Sequence, residues 1–410
     1  MLSVKEAEKI IFNLAKPLNN QQDIETVDLF TANSRILASP VTSKLDFPHW
    51  DNSAMDGYAV IYQDVKQASE EKPAVLKLVE DIPAGYQPQS NIQSGQAARI
   101  FTGAVMPKGA DTVVMQENTR REANQVFILA APKPQEFVRH RAAYYQAGTE
   151  LLPAGIQINA PEIAILAASQ CTKLNVYRRP IVAILSTGNE LVTPDEKLQV
   201  GQIVDSNQYA LAALVKQSGG EPLMLGIIKD EPEALKQAIS QAISKADLVL
   251  SSGGVSVGDY DYVEQVLTSL GGEINVRAVA MKPGKPLTVA TFSVSNNPIY
   301  FGLPGNPVSA LVSYLRFVQP VIKKLSGIVE GWKPTFIKAQ TRQNLSSNGN
   351  RETYVWGRLS LVDGVYQFSV AGGNKSSGNL IDLAQTNAFA VLEVGKSSVN
   401  VGEEVWVLQV

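Results

Sequence analysis

Four short segments combine residue types suited to holding a phosphorylated small molecule. They are Ser186-Thr187-Gly188-Asn189-Glu190, Ser251-Ser252-Gly253-Gly254-Val255-Ser256-Val257-Gly258-Asp259, Lys282-Pro283-Gly284-Lys285-Pro286 and Gly302-Leu303-Pro304-Gly305-Asn306-Pro307. Glycines let backbone amides approach phosphate oxygens closely, and a helix N-terminus adds a favourable dipole. The serines and threonines add hydroxyl donors. Lys282 and Lys285 supply positive charge, and the Pro-Gly between them fixes their directions. Taken alone, the first and fourth segments are equally well tight turns. Asn306, before Pro307 and a long helical run, suits a helix N-cap. None of the four matches G-x-x-x-x-G-K-[ST] or G-x-G-x-x-G, which disfavours a Walker-type NTPase and a dinucleotide dehydrogenase.

Carboxylates cluster in the same stretch: Glu190, Asp205, Asp230, Asp259 and Asp261. Mg²⁺ commonly takes one or two carboxylates plus substrate phosphates rather than a full protein cage. These acids are therefore candidate ligands for a divalent ion bridging to phosphate. Asp230 directly precedes a helical run, so an N-cap role suits it equally well.

The elements that must position these segments alternate. Apolar runs such as Pro180-Ile181-Val182-Ala183-Ile184-Leu185 read as strands, and Ser206–Gly220, with its glycine stop, and Glu231–Ser244 read as helices. Strand–helix alternation predicts an α/β domain with a parallel-type sheet over residues 179–327. In such a sheet ligands bind beyond the carboxyl ends of the strands, where all four segments fall. Short alternating runs over 47–139 predict a small β domain. Residues 1–46 and 140–178 form a discontinuous linking domain, and 328–410 a C-terminal β-barrel-like domain.

The whole chain bounds the chemistry. It has 410 residues, a formal net charge of −3 and 18% charged residues. That balance argues against nucleic-acid binding, which requires a basic surface. The single cysteine, Cys171, excludes an intrachain disulfide, and two histidines, His49 and His140, are too few for a histidine-based metal cage. No G-x-S-x-G elbow supports a serine hydrolase. No uncharged apolar stretch reaches the roughly 20 residues needed to span a bilayer, and the N-terminus lacks the pattern of a signal peptide. The expected location is the cytoplasm, away from membranes.

Asp51-Asn52-Ser53-Ala54-Met55-Asp56-Gly57-Tyr58-Ala59-Val60, Arg99-Ile100-Phe101-Thr102-Gly103-Ala104, Ser252–Gly258 and Pro304-Gly305-Asn306-Pro307 together resemble the molybdopterin molybdenumtransferases, the MoeA-type proteins similar to the E domain of gephyrin. The resemblance runs nearly end to end. It implies an enzyme that inserts molybdenum from molybdate into adenylylated molybdopterin with Mg²⁺, releasing AMP and forming molybdenum cofactor. It further implies a MogA/MoaB-like α/β domain and an elongated homodimer whose cleft is completed by the small β domain of the second subunit. The implied partners are a MogA-type molybdopterin adenylyltransferase and apo-molybdoenzymes.

Residue by residue, the resemblance assigns Asp56 and Thr102 to the cleft face of the small β domain. It assigns Thr187, Gly188, Ser252, Gly253, Gly254, Ser256, Pro304 and Pro307 to ligand binding. Asp56, Glu190, Asp261, Lys282 and Lys285 become the catalytic candidates, and Glu190, Asp230 and Asp261 the metal candidates. Ser376-Ser377 matches a further family motif. Two positions depart from the pattern. The usual acidic pair is replaced by Ala143 and Tyr144, and a basic residue before the Lys282 loop is replaced by Ala278, beside Arg277. These losses of charge motivate a second reading, a pterin-binding or cofactor-storage scaffold.

Overall fold

Apolar runs without polar alternation belong in strands covered on both faces, and Ile181–Thr187 is such a strand, buried almost throughout. The structure, a computed structural model, describes residues 1–18, 21–253, 260–294, 296–372 and 378–410, with the backbone alone for 260–262. The chain forms two compact units: Met1–Ser39, Ala154–Ala160 and Lys173–Val410 make one, and Pro40–Pro153 with Pro161–Thr172 the other.

In the first unit the α/β portion runs β1 (Ile181–Thr187), α1 (Asn207–Gln217), β2 (Glu221–Ile228), α2 (Pro232–Lys245), β3 (Leu248–Ser252), α3 (Tyr260–Ser269), β4 (Gly272–Ala278), β5 (Pro286–Phe292), β6 (Ile299–Leu303) and α4 (Pro307–Ser313). Sheet order is β2-β1-β3-β6-β5-β4. Alternate residues of a strand face opposite sides. Val182, Ile184, Leu248 and Leu250 accordingly pack with Leu211 and Val215 of α1 and with Ala7 and Ile11 of the N-terminal helix Val4–Leu14. Ala183, Leu185 and Val249 pack with Ile239 of α2 and Leu267 of α3. A capping box starts the N-terminal helix: Ser3 Oγ accepts from the Glu6 amide at 3.2 Å, and the Ser3 amide donates to Glu6 Oε2 at 2.8 Å.

The chain leaves β1 toward β2 on one side and returns to β3 on the other, so the order reverses at β1/β3. That crevice is the expected ligand site of an open α/β sheet. Parallel register brings the strand ends level, pairing Thr187 with Ile228, Ser186 with Ser252, and Ser252 with Leu303.

The sheet is mixed rather than wholly parallel, because β5 runs antiparallel to both β6 and β4. The short connections on either side of β5 cannot make the crossover that parallel neighbours need.

Beyond α4 the same unit contains a C-terminal barrel. Strands Glu352–Val362, Val365–Val370, Phe336–Thr341, Glu404–Gln409 and Ala388–Leu392 follow one another in pairing, and the last pairs back to the first. Closure removes free edges around a core that includes Ala339, Leu359, Phe368 and Val407. The short strand Met281–Lys282 adds to this barrel, pairing in parallel with Glu352 and Thr353. Strand Ile24–Asp28 pairs antiparallel with Lys173–Tyr177.

The second unit is built on a six-stranded sheet in which Gly57–Val60 lies between the edge strand Thr112–Met115 and Gln96–Ile100. Gly57 is required there, since a Cβ would lie 2.0 Å from the Val114 carbonyl oxygen. Among the described residues no helix is long and apolar enough to cross a membrane.

Candidate functional site

Three of the four α/β segments meet at the β1/β3 crevice. Gly253 follows β3 with φ +94°, and a Cβ on it would sit 2.3 Å from the Thr187 carbonyl oxygen, so only glycine lets the two loops touch. A Cβ on Gly305 would lie 3.6 Å from the Gly253 Cα, so the loop after β6 rests on the loop after β3. Pro304 is buried and Pro307 opens α4. Thr187 is 4% exposed and its Oγ1, like Ser186 Oγ, is buried without a hydrogen-bond partner among the described residues. A buried hydroxyl without a partner is costly. Here it stands at the strand end where a ligand oxygen would satisfy it.

A residue passed over in the sequence holds these loops together. Asn207, the first residue of α1, donates from Nδ2 to Ser252 Oγ at 2.7 Å and to the Gly305 carbonyl at 2.8 Å. Its own segment carried no signal, because both partners are remote in sequence.

The acids divide by role. Asn189 Oδ1 accepts from the Asp230 amide at 3.2 Å, tying the Gly188–Glu190 loop to the end of β2. Exposed Glu190 and Asp230 therefore sit in the loops that follow two adjacent strands whose ends are level. The N-cap position of α2 belongs to Glu231, not Asp230. Pro232 takes the first helical position and moves the boundary one residue on. Asp205 is buried and accepts from the Gln208 amide at 3.2 Å and its side chain at 3.0 Å, so it anchors α1. Among the described residues no three His, Cys, Asp or Glu side chains group to hold a metal by themselves. Two solvent-open carboxylates in the loops after neighbouring strands instead fit a hard ion that keeps waters and takes its other oxygens from phosphate. Gly254, Ser256, Asp259, the side chain of Asp261, Ser376 and Ser377 lie outside the described residues.

The lysine segment lines its own cavity of about 320 Å³, with Lys282, Gly284, Lys285, Ser309 of α4, Arg351 and Tyr354 in its wall. Both lysines are exposed and, among the described residues, neither has an ion-pair partner. Gly284 has φ +104°, and a Cβ there would meet Ser313 Oγ at 2.7 Å. Arg351 donates to the Met281 carbonyl at 3.3 Å, bringing a third cation to the loop. Tyr354 is locked from behind: Arg316 Nε donates to its hydroxyl at 3.0 Å, while Arg316 also pairs with Glu8 and the Tyr354 hydroxyl donates to Glu352. Burial pushes the Glu352 carboxyl above its usual range and the Tyr354 phenol well above its own. Arg277 does not replace the cation absent at Ala278. It pairs instead with Glu264 of α3 at 3.1 Å.

In the second unit, Asp56 and Thr102 are brought together as a pair. Register sets Gly57 opposite Ile100, which places the residues just beyond at one sheet end. Asp56 Oδ1 accepts from the Thr102 amide at 2.8 Å and from Thr102 Oγ1 at 2.9 Å. The backbone bond first, then the hydroxyl, holds the Asp56 carboxyl below the usual carboxylate range. At the altered segment, Tyr144 is exposed and packs against Phe47 with ring centroids 5.7 Å apart.

Known proteins cover the chain in the same order. Residues 2–169 match the MoeA N-terminal region (domain I and II), 183–324 the family described as "Probable molybdopterin binding domain", and 338–410 the MoeA C-terminal region (domain IV). The molybdopterin molybdenumtransferase of Nostoc sp. is 65% identical over 409 residues, covering 100% of this chain and 94% of that protein. Its Haemophilus influenzae namesake is 36% identical, covering 93% and 92%. A crystal structure of a Pyrococcus horikoshii molybdopterin biosynthesis MoeA protein matches with a TM-score of 0.85 at 26% identity, covering 100% of both chains. The MogA/MoaB-like α/β portion and the accompanying β portions are thus those of known proteins, and the chain belongs to the molybdopterin molybdenumtransferase family, a family of transferases acting in molybdenum cofactor biosynthesis.

Proposed function

We propose that this protein inserts molybdenum from molybdate into adenylylated molybdopterin, with AMP leaving as the phosphoanhydride is broken. The observation that carries the reading is the crevice at β1/β3, where the unpartnered Thr187 hydroxyl meets the touching Gly253 and Gly305 loops. Backbone amides and hydroxyls there would hold the phosphates. Lys282 and Lys285, with Arg351 alongside, would hold molybdate or phosphate charge in their cavity. Preorganised donors of this kind lower the barrier by meeting charge as it develops.

Glu190 and Asp230, with Asp261, would hold magnesium, which when bound neutralises phosphate charge. Asp56, kept ionised by Thr102, would act on the substrate from a second copy of the chain, so the working form in this reading is a homodimer. The adenylylated substrate would come from a MogA-type adenylyltransferase, and the product would pass to apo-molybdoenzymes, all in the cytoplasm.

The test supplies purified protein with adenylylated molybdopterin, molybdate and Mg²⁺ and follows AMP release and cofactor formation. Molybdate-dependent AMP release is expected. Tight binding without it would overturn the transferase reading in favour of a storage scaffold.

A further inference from the structure

Asn207 is 9% exposed, and its side-chain NH₂ is the donor in both of its bonds, to the last residue of β3 and to the loop after β6. These bonds determine how two other donors are presented. Ser252 Oγ accepts from Asn207, which leaves the Ser252 hydroxyl hydrogen to donate elsewhere. Among the described residues it has no other partner. The Gly305 carbonyl is likewise fixed on Asn207. In a trans peptide the N–H points opposite to the C=O, so the Asn306 amide is turned away from Asn207. Asn306 stands at the N-cap position of α4, where an amide has no helical acceptor.

We propose that Asn207 is a positioning residue that presents the Ser252 hydroxyl and the Asn306 amide as paired donors to a phosphate oxygen of the substrate. The proposal rests on the phosphate-binding reading of the β1/β3 crevice given above. It explains why an amide stands at this position. Both facing atoms are oxygens, so an ionised carboxylate of the same shape would offer them no hydrogen. It would also lie close in sequence to the buried Asp205. Removing Asn207 frees the Ser252 hydroxyl to turn and the Gly305 peptide to rotate, and the two donors lose their common target.

The experiment measures binding of adenylylated molybdopterin by calorimetry, beside AMP release, for the wild type, Asn207→Asp, Asn207→Ala, Ser252→Ala and Asn207→Ala/Ser252→Ala. Binding weakened about tenfold in each single variant is expected, the scale of a hydrogen bond to a charged group. The double variant should lose much less than the product of the single losses, because the two residues act as one unit. Asn207→Asp should regain affinity as pH falls and its carboxyl takes up a proton, while Asn207→Ala should not.

Multiplicative losses in the double variant, or Asn207 variants that bind as the wild type does, would overturn the proposal. If Asn207→Asp does not fold, the alanine variants carry the same comparison. A wild type that binds without releasing AMP would defeat the transferase reading yet leave this proposal standing on the binding data.

Discussion

The Asp56–Thr102 pair and the β1/β3 crevice solve opposite problems. In the small β unit a carboxylate is already satisfied: two donors from one residue fix it in its charged form before any ligand arrives. In the α/β unit the Thr187 hydroxyl is buried and unsatisfied, and the surrounding loops touch through glycines. The first arrangement is complete by itself. The second leaves a donor that, in the proposed function, a ligand oxygen would take up. Local stability and ligand affinity should therefore separate between the two regions, and substitutions can expose that separation.

Gly253→Ala should have the largest effect. Its Cβ would meet the Thr187 carbonyl in a left-handed backbone, costing about 1–3 kcal/mol of stability. Thermal denaturation and an AMP-release assay should both register it, and unchanged activity would mean that the loops need not touch. Next, Lys282→Ala and Lys285→Ala should each raise the substrate or molybdate concentration for half-maximal rate by about tenfold to a hundredfold. Because both lysines are exposed, stability should stay within about 0.5 kcal/mol. A matching fall in melting temperature would count against a purely electrostatic role.

Thr102→Val tests the satisfied side. It removes the hydroxyl donor and keeps the backbone amide, the larger cause of the Asp56 shift. The Asp56 pKa should rise only part of the way to its ordinary value, as read by carbon NMR of the carboxyl. The sign follows from linkage: a depressed carboxylate pKa contributes stability that is present above the unfolded value and lost as pH falls through the folded one. The variant should thus lose that contribution at a higher pH than the wild type. Asn306→Ala should have the smallest effect. Asn306 holds the N-cap position without a side-chain cap bond, so a denaturant titration should show a change below the roughly 1 kcal/mol of a working cap.

The same contrast explains what was legible in the sequence. Asp56 and Thr102 were readable because each sits in a dense local motif, and antiparallel pairing of nearby strands brings the motifs together. The four loops were readable because strand ends are marked by glycine, proline and hydroxyl residues. Asn207 was not, since its function is to bridge positions 45 and 98 residues away. Arg351 was hidden for the same reason, as it reaches the Lys282 loop from the far barrel. The antiparallel β5 was missed because a buried strand reads alike in either direction. Its sense is set by the length of its connections.

The short Met281–Lys282 strand carries a consequence for dissection of the molecule. It hydrogen-bonds to the barrel, not to the α/β sheet. A fragment ending at Gly327 would retain the reversal point of the sheet and the loops around Thr187 and Gly253. It would lose the ladder that holds Lys282, and with it Arg351. In the proposed function such a fragment would keep the phosphate-binding loops without their counter-charge, so the terminal barrel would act less as an appendage than as the electrode of the site.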